Sequence, residues 1–210
     1  MKESLKNNIV NLVGTITSNF TFNHKVFGES FYMAELKVER TSGNYDLIPI
    51  MISDRAVDIE NLPIGTRVKV FGQFRSFNKH GEEKNRLILS VFTQYVEFDN
   101  DFVDSNAIEL VGYICKAPVY RKTPLGREIA DLLLAVNRPY GKSDYIPCIC
   151  WGRNARFAEQ LTVGSCVKIC GRIQSREFQK KVSETEIEQR VAYEVSVGTI
   201  ELLEEGTHEE

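Results

Sequence analysis

NNIVNLVGTI at residues 7–16 returns with few changes as NAIELVGYI at residues 106–114. When the two halves of the chain are offset by 98 residues, 14 of the 48 positions from 8 to 55 are identical, and no gap is needed. A repeat of about 95 residues has the size of a small independent domain and is too long for a solenoid repeat. The sequence therefore predicts a tandem pair of domains that share one fold.

The alignment continues through the second half of each copy. One extra residue near Asn154 changes the offset to 99, after which Gly72 aligns with Gly171. An acidic stretch, DNDFVDS at 99–105, separates the two copies. Its composition is typical of a linker, so we place the boundary between the domains there.

Each copy has the same order of predicted elements. A first strand is followed by a turn-rich segment and by a second strand, ESFYMAELKVER or REIADLLLAVNR. A third strand, YDLIPIMIS or DYIPCICW, leads into a short helical segment and then into two strands joined by a charged hairpin loop. Five strands with a helix between the third and the fourth is the order of an OB-fold barrel. We therefore predict an all-β fold with short helices: two tandem five-stranded OB-fold barrels at 1–98 and 106–203, an acidic linker at 99–105 and an acidic tail at 204–210.

The third strand of the second copy is apolar on both faces. Alternate residues of a strand point to opposite sides, and here the two sets are Tyr145, Pro147, Ile149 and Trp151 on one side and Ile146, Cys148 and Cys150 on the other. One apolar face is enough to line a barrel core. The second face, which carries the only tryptophan of the chain, indicates a binding surface.

The bulk composition is that of a globular protein outside the membrane. The chain has 210 residues, 42% of them hydrophobic and 26% charged. No apolar run reaches the length of a membrane span, and the first residues lack the apolar core of a signal peptide, so we expect a cytoplasmic protein with no membrane partner. The formal net charge is −3, but residues 106–203 carry 14 Lys and Arg against 11 Asp and Glu, a balance of +3. This basic half is a weak indication of a polyanionic partner.

The second copy resembles the bacterial single-stranded DNA-binding protein family. The resemblance covers nearly all of residues 106–203 and is carried by NAIELVGYI, APVYRKTPLGREIADLLLAVNR, DYIPCICWGRNA and VGSCVKICGRIQSREF. The first copy shows the same skeleton more faintly, so the whole chain resembles a two-barrel member of that group. The resemblance implies sequence-independent binding of single-stranded DNA in replication, recombination or repair, without enzymatic activity.

The resemblance also implies which residues bind. In that family, aromatic side chains on the outer face stack on bases, and the matching positions here are Tyr140, Tyr145, Trp151 and Phe178. The family's basic residue before the second strand falls on Arg121. From strand parity and proximity in sequence we add six further candidate phosphate contacts: Arg138, Lys142, Arg153, Lys168, Arg172 and Arg176.

The first copy departs from this pattern. The positions that match the stacking residues hold Ser42, Leu47 and Ser53. We expect this barrel either to pack against something or to bind DNA more weakly, through Phe74, Phe77, Arg75 and Lys79. We also expect its apolar outer face, Leu47, Pro49 and Met51, to be at least partly covered.

The sequence offers no other chemistry. The pairs Cys148-x-Cys150 and Cys166-x3-Cys170 lack the spacing of zinc ligands, and Cys148 and Cys150 fit buried thiols. The three histidines are scattered, so we expect no metal and no cofactor. The family usually assembles four barrels, which a homodimer of this chain would supply; a monomer whose two barrels pair internally is the alternative. Replication or repair proteins are candidate partners. Two other functions stay open: a primosomal replication protein, and a protein-interaction module that does not bind DNA.

Overall fold

The computed structural model describes residues 6–79, 86–98, 103, 105–181 and 187–203. The first half forms β1 (Asn8–Ile16), β2 (Thr21–Val26), β3 (Glu29–Glu39), β4 (Tyr45–Ser53), β5 (Arg67–Lys79) and β6 (Arg86–Phe98). The second half forms β7 (Ser105–Ile114), β8 (Val119–Lys122), β9 (Glu128–Asn137), β10 (Ser143–Trp151), α1 (Arg153–Glu159), β11 (Cys166–Lys181) and β12 (Ile187–Leu202). Most of the predicted linker and the whole predicted tail lie outside the described residues.

Each half closes into a barrel, which confirms the predicted fold class. In the first barrel the strand order is β2-β3-β4-β6-β5-β1, β4 runs parallel to β6, and pairing of β1 with β3 closes the barrel. The second barrel repeats this order, and pairing of β7 with β9 closes it. Branched and aliphatic side chains fill both interiors, for example Leu12 and Ile50 in the first barrel and Leu110 and Ile146 in the second.

The predicted strand count was one short in each barrel. The segment expected to be only turns contains β2 in the first copy and β8 in the second, and each forms a hairpin with the next strand. Most residues of these two strands are exposed. They lack the apolar alternation by which a half-buried strand is recognised in a sequence.

The predicted helical segments differ between the two copies. In the second barrel α1 is a true α-helix that buries Ala155 and Ala158 against the barrel. In the first barrel the corresponding segment is a single 3₁₀ turn at Ile59–Asn61, and Asp58 caps it by accepting a hydrogen bond from the Glu60 N–H at 3.2 Å. No helix in the described part of the chain is long and apolar enough to cross a membrane.

The two barrels share one sheet because β1 and β7 pair along their edges. They run antiparallel, with Val10 opposite Ile108 at the centre of the register. These two residues occupy the same position in the two copies, since they lie 98 residues apart. The pairing is therefore two-fold symmetric, and it joins the two barrels into a continuous 12-stranded sheet.

Two buried carboxylates, one from each barrel, accept hydrogen bonds across this junction. Asp46 of the first barrel accepts hydrogen bonds from Arg40 and from the Ser175 N–H of the second barrel, the latter at 2.8 Å. Asp144 of the second barrel is bonded in the same way to Arg138 and to the Ser76 N–H of the first. Both carboxylates are almost completely buried. The two barrels thus hold each other through two equivalent contacts. We call them together the aspartate latch: Asp46 with Arg40 and Ser175, and Asp144 with Arg138 and Ser76.

The glycine shared by β5 and β11 marks a close backbone approach. A Cβ at Gly72 would lie 2.2 Å from the Phe92 carbonyl oxygen, and a Cβ at Gly171 would lie 2.3 Å from the Ser196 carbonyl oxygen. The strand register also shifts at both glycines. Only glycine allows the bent strand to come so close to its neighbour, which explains why both copies keep it.

Candidate nucleic-acid interface

The outer face of β8, β9 and β10 carries the candidate binding surface. Across these strands Trp151 lies opposite Ile129, and Ile129 lies opposite Arg121. Side chains opposite each other in an antiparallel sheet point to the same face. The candidate stacking residue and the candidate phosphate contact therefore lie in one row, two strand spacings or about 10 Å apart.

Strand parity correctly separated the core from this face. Cys148 and Cys150 are buried in the barrel, and burial raises the pKa of both thiols, that of Cys150 to about 12. Trp151 is 39% exposed and Tyr145 is 46% exposed. Ile149 was expected beside them as part of the surface, but it is buried. The exposed area therefore consists of the two rings, which we call the aromatic platform (Tyr145 and Trp151); their Cα atoms are about 20 Å apart along the strand.

The two other predicted stacking residues flank the platform. Tyr140 is fully exposed at the tip of the turn that precedes β10. Phe178 is half-buried on β11, where it lines a cleft of about 340 Å³ together with Pro147 of β10 and Pro49 of the first barrel. The Arg176 guanidinium carbon lies 5.7 Å from the Phe178 ring centroid.

The predicted cations fall into two groups. Lys142 and Arg153 are exposed and form no ion pair with any described residue. The other five are paired with carboxylates: Arg121 with Asp131, Arg138 with Asp144, Lys168 with Glu109, Arg172 with Asp46, and Arg176 with Glu194.

Three of the paired cations lie at the barrel junction or on β11, outside the row of Trp151. Arg138 and Arg172 belong to the aspartate latch at the barrel junction. Lys168 lies opposite Val111 of β7 and Glu201 of β12, and its hydrogen bond with Glu109 raises its pKa. Arg121, by contrast, is half exposed in the same row as Trp151.

The first barrel differs from the expectation in two ways. Phe74 cannot contact a ligand because it is completely buried in the core. The sequence also missed an aromatic cluster on the outer face: the rings of His24 and Phe31 stack at 4.8 Å, and Phe31 packs against Phe92 with 5.8 Å between ring centroids. Phe92 lies beside Met51, whose predicted coverage is confirmed, as it is only 7% exposed.

A signal for this cluster was present in the sequence. In the second barrel β10 supplies the ring, Trp151, while β12 supplies Ser196. In the first barrel β4 supplies Ser53, and β6 supplies the ring, Phe92, at the position equivalent to Ser196. The aromatic residue of this face thus lies on β6 in the first barrel and on β10 in the second. A comparison of β4 with its equivalent β10 does not detect it.

Within the described ranges, no three His, Cys, Asp or Glu side chains are grouped so that they could hold a metal ion. The chemistry that the surface offers is stacking on exposed rings beside positive charge.

The second half of the chain is similar in sequence to known proteins. Residues 105–203 match the sequence profile of the Single-strand binding protein family. The chain is 37% identical over 87 residues to a single-stranded DNA-binding protein of Oceanobacillus iheyensis, covering 38% of this chain and 54% of that protein. It is 36% identical over 107 residues to single-stranded DNA-binding protein A of Bacillus subtilis, covering 47% and 59%. The chain thus spans little more than half the length of these relatives.

The two-barrel architecture also has a known counterpart. The solved structure of the wild-type single-stranded DNA binding protein from Thermus aquaticus superposes with a TM-score of 0.70 at 21% identity, covering 97% of this chain and 96% of that one. A deletion mutant of the same protein gives a TM-score of 0.71 with full coverage of both chains. At this identity the likeness concerns the fold alone. In sequence, residues 105–203 resemble the single-strand binding protein family, and in fold the whole chain is a pair of tandem OB-fold barrels.

Proposed function

We propose that this chain binds single-stranded DNA without sequence preference. The observation that carries the proposal is the aromatic platform: Trp151 and Tyr145 hold rings outside a core that is already filled by Ile146, Cys148 and Cys150. Folding leaves a large part of both rings uncovered, and an unstacked base gains roughly 1–3 kcal/mol by stacking on such a ring. Every base has a π-face, so this mode of binding tolerates any sequence. The names of the relatives support the same activity.

Phosphates are contacted by the cations that border the platform. Lys142 and Arg153 are exposed at the two ends of β10, and Arg121, in the row of Trp151, can exchange its half-exposed ion pair with Asp131 for a phosphate. Arg176 and Phe178 extend this surface along β11. Arg172 and Lys168 contribute less to phosphate binding, because carboxylates already hold their charges, and Arg138, which is paired with Asp144, lies beyond the Tyr145 end of the platform.

The proposed location, process, partners and oligomeric state of the protein accompany this activity. The protein acts in the cytoplasm on single strands exposed during replication, recombination or repair, where enzymes of those processes are its candidate partners. It works as a homodimer with four barrels. A primosomal role would add a helicase-type partner to DNA binding, and a pure interaction module would use the aromatic platform for protein instead of DNA.

Binding of a fluorescent oligo-dT measured at several salt concentrations tests the proposal. The logarithm of the association constant should fall with the logarithm of the salt concentration by roughly 0.7 for each phosphate neutralised on a single strand. The double variant Lys142→Ala/Arg153→Ala should bind more weakly and flatten the slope by about 1.4, since it removes two contacts. Lys168→Ala is the control off the platform and should change the slope less. A protein that binds no oligo-dT, or prefers one base sequence strongly, contradicts the proposal.

A further inference from the structure

The first barrel contains a cleft of about 320 Å³ on its outer face, beside the junction with the second barrel. Its walls include three aromatic side chains and one thioether, and two guanidinium groups border it: His24, Phe77, Phe92, Met51, Arg75 and Arg138. The volume lies at the small end of the range of ligand sites. Apolar walls with a few fixed charges are the composition of such sites.

The flat surface in this cleft is built from two stacked groups. The guanidinium carbon of Arg75 lies 3.7 Å from the ring centroid of Phe92. Phe92 also packs against Phe31, which in turn stacks on His24. Both members of this stacked pair, Arg75 and Phe92, line the cleft. Unstacked bases stack on guanidinium planes as well as on aromatic rings.

The charge in the cleft is positive and held in place. Burial, together with the nearby charge of Arg138, lowers the pKa of Arg75 to about 10, so Arg75 stays charged at neutral pH. The Arg75 side chain donates to the Gln73 amide oxygen at 2.8 Å, and Arg138 donates to Asp144 and to the Ser76 carbonyl oxygen. An anion placed between the two guanidiniums would relieve their mutual repulsion.

We propose that this cleft binds one unstacked base of single-stranded DNA, stacked on the Arg75–Phe92 pair, with the adjoining phosphate close to Arg138. The proposal rests on the function proposed above and adds a second binding site, in the barrel that lacks exposed rings at the expected positions Leu47 and Ser53. Arg138 comes from the second barrel, so the cleft is complete only because the two barrels are joined.

The cleft adjoins one end of the aromatic platform. The Ser76 hydroxyl, in the wall of the cleft, accepts a hydrogen bond from the Tyr145 N–H at 2.8 Å. A strand that follows β10 from Trp151 to Tyr145 therefore reaches the cleft without leaving the protein surface. On the other side of the cleft, Phe27 lies three residues, or about 10 Å, beyond His24 and is 97% exposed. These positions define a path from the second barrel across the junction onto the first.

A series of oligo-dT lengths separates the cleft from the platform. One OB fold covers about 4–16 nucleotides, so short oligonucleotides fit on the platform and longer ones reach the cleft. Phe77→Ala and Phe92→Leu should leave the affinity for short oligonucleotides and their quenching of Trp151 fluorescence unchanged. Both variants should bind long oligonucleotides more weakly, by roughly 5- to 150-fold if one stacked base is lost.

The matched control is Phe98→Ala, an exposed ring six residues further along the same strand as Phe92. It should bind every length as the wild type does. A direct measurement accompanies the series: oligo-dT that carries 5-iodouracil at successive positions should cross-link photochemically to a peptide of the first barrel that contains His24, Phe77 or Phe92. Circular dichroism of each variant confirms that it is folded.

The outcomes distinguish this inference from the proposed function. If short oligo-dT quenches Trp151 but neither cleft variant weakens binding of long oligo-dT and no cross-link forms in the first barrel, the cleft is not a DNA site and the platform is. An equal loss of affinity for long oligo-dT in Phe98→Ala would also contradict the proposal that the cleft binds DNA. If no oligo-dT of any length binds, both proposals fall together.

Discussion

Phe27 and Tyr140 are the two described residues other than glycine that have a positive backbone φ, at 47° and 67°. Each is followed by a glycine with positive φ, and each is an almost fully exposed aromatic residue. The left-handed conformation costs a side-chain-bearing residue roughly 1–2 kcal/mol. Folding therefore gains nothing from these rings, neither in the backbone nor in burial. Residues that are unfavourable in both respects tend to lie at functional sites.

Replacing Phe27 by asparagine should stabilise the protein. Asparagine adopts the left-handed conformation readily, and Phe27-Gly28 forms the two-residue turn between β2 and β3, where asparagine-glycine is the favoured pair. We expect the free energy of unfolding to rise by about 1 kcal/mol, seen as a higher melting temperature by circular dichroism. The same variant should bind long oligo-dT more weakly, because a ring is lost. A lower melting temperature would contradict this reading of the turn.

At the level of single residues, the alternation of side chains along a strand predicted which residues are buried. The contacts across the barrel junction could not be predicted from the sequence. Parity placed Cys148 and Cys150 in the core and Trp151 outside without any knowledge of the rest of the barrel. It could not show that Arg138 is held by Asp144 or that Ser76 of the other barrel completes that contact. Those pairings depend on how the two barrels meet, which no local pattern encodes.

Among the elements, the aspartate latch connects β4 to β11 and β10 to β5. Asp46→Ala would leave Arg40 without its buried partner and the Ser175 N–H without its acceptor. Removing one member of a buried ion pair costs about 3–5 kcal/mol, and we expect the lower end because the Arg40 side chain is partly exposed. Chemical denaturation measures this loss. Glu60→Ala, an exposed carboxylate of the same barrel, is the control and should have almost no effect. Equal stability of Asp46→Ala and the wild type would show that the latch is not needed.

The latch also makes stability depend on pH. Burial alone would raise the pKa of Asp46, but the hydrogen bonds from Arg40 and the Ser175 N–H outweigh it and hold the pKa below its usual range. The folded protein thus binds the proton less readily than the unfolded chain, so this contribution is fully present above the unfolded pKa of about 3.9 and is lost as the pH falls through the lower folded value. Between pH 7 and about pH 3, the free energy of unfolding measured by denaturant should fall by more for the wild type than for Asp46→Asn, because the asparagine side chain does not titrate. An identical pH dependence in the variant would contradict the assignment.

On the scale of the whole molecule, the two-fold pairing of β1 with β7 makes one chain an internal dimer of barrels. The sequence repeat predicted two similar barrels. It could not predict how the barrels pair, because the pairing depends on the edges of β1 and β7 and the hydrophobic pattern reports only on the core. The outer face of the joined sheet exposes Ile9 and Tyr95, with Tyr95 stacked on Phe71 at 4.3 Å. Partly exposed apolar side chains bordered by charged residues such as Glu109 and Lys69 suit contact with a second copy.

Light scattering should accordingly give twice the mass of 23.9 kDa, which is a homodimer of four barrels. Ile9→Glu would place a charge in the middle of the proposed contact and should convert the dimer to a monomer that is still folded, since Ile9 faces away from the core. A wild-type protein that stays monomeric at all accessible concentrations would contradict the four-barrel assembly and favour the internally paired monomer.

The fluorescence of Trp151 tests the central claim most directly, because the chain has no other tryptophan. A partly exposed indole that receives a base should be quenched by oligo-dT, and Trp151→Ala should weaken binding by roughly 1–3 kcal/mol while leaving the melting temperature nearly unchanged. Ser53→Ala, at the matching position of the first barrel, should change neither binding nor quenching. An emission that does not respond to oligo-dT, together with undiminished binding by Trp151→Ala, would contradict the account of the aromatic platform as the DNA-binding surface.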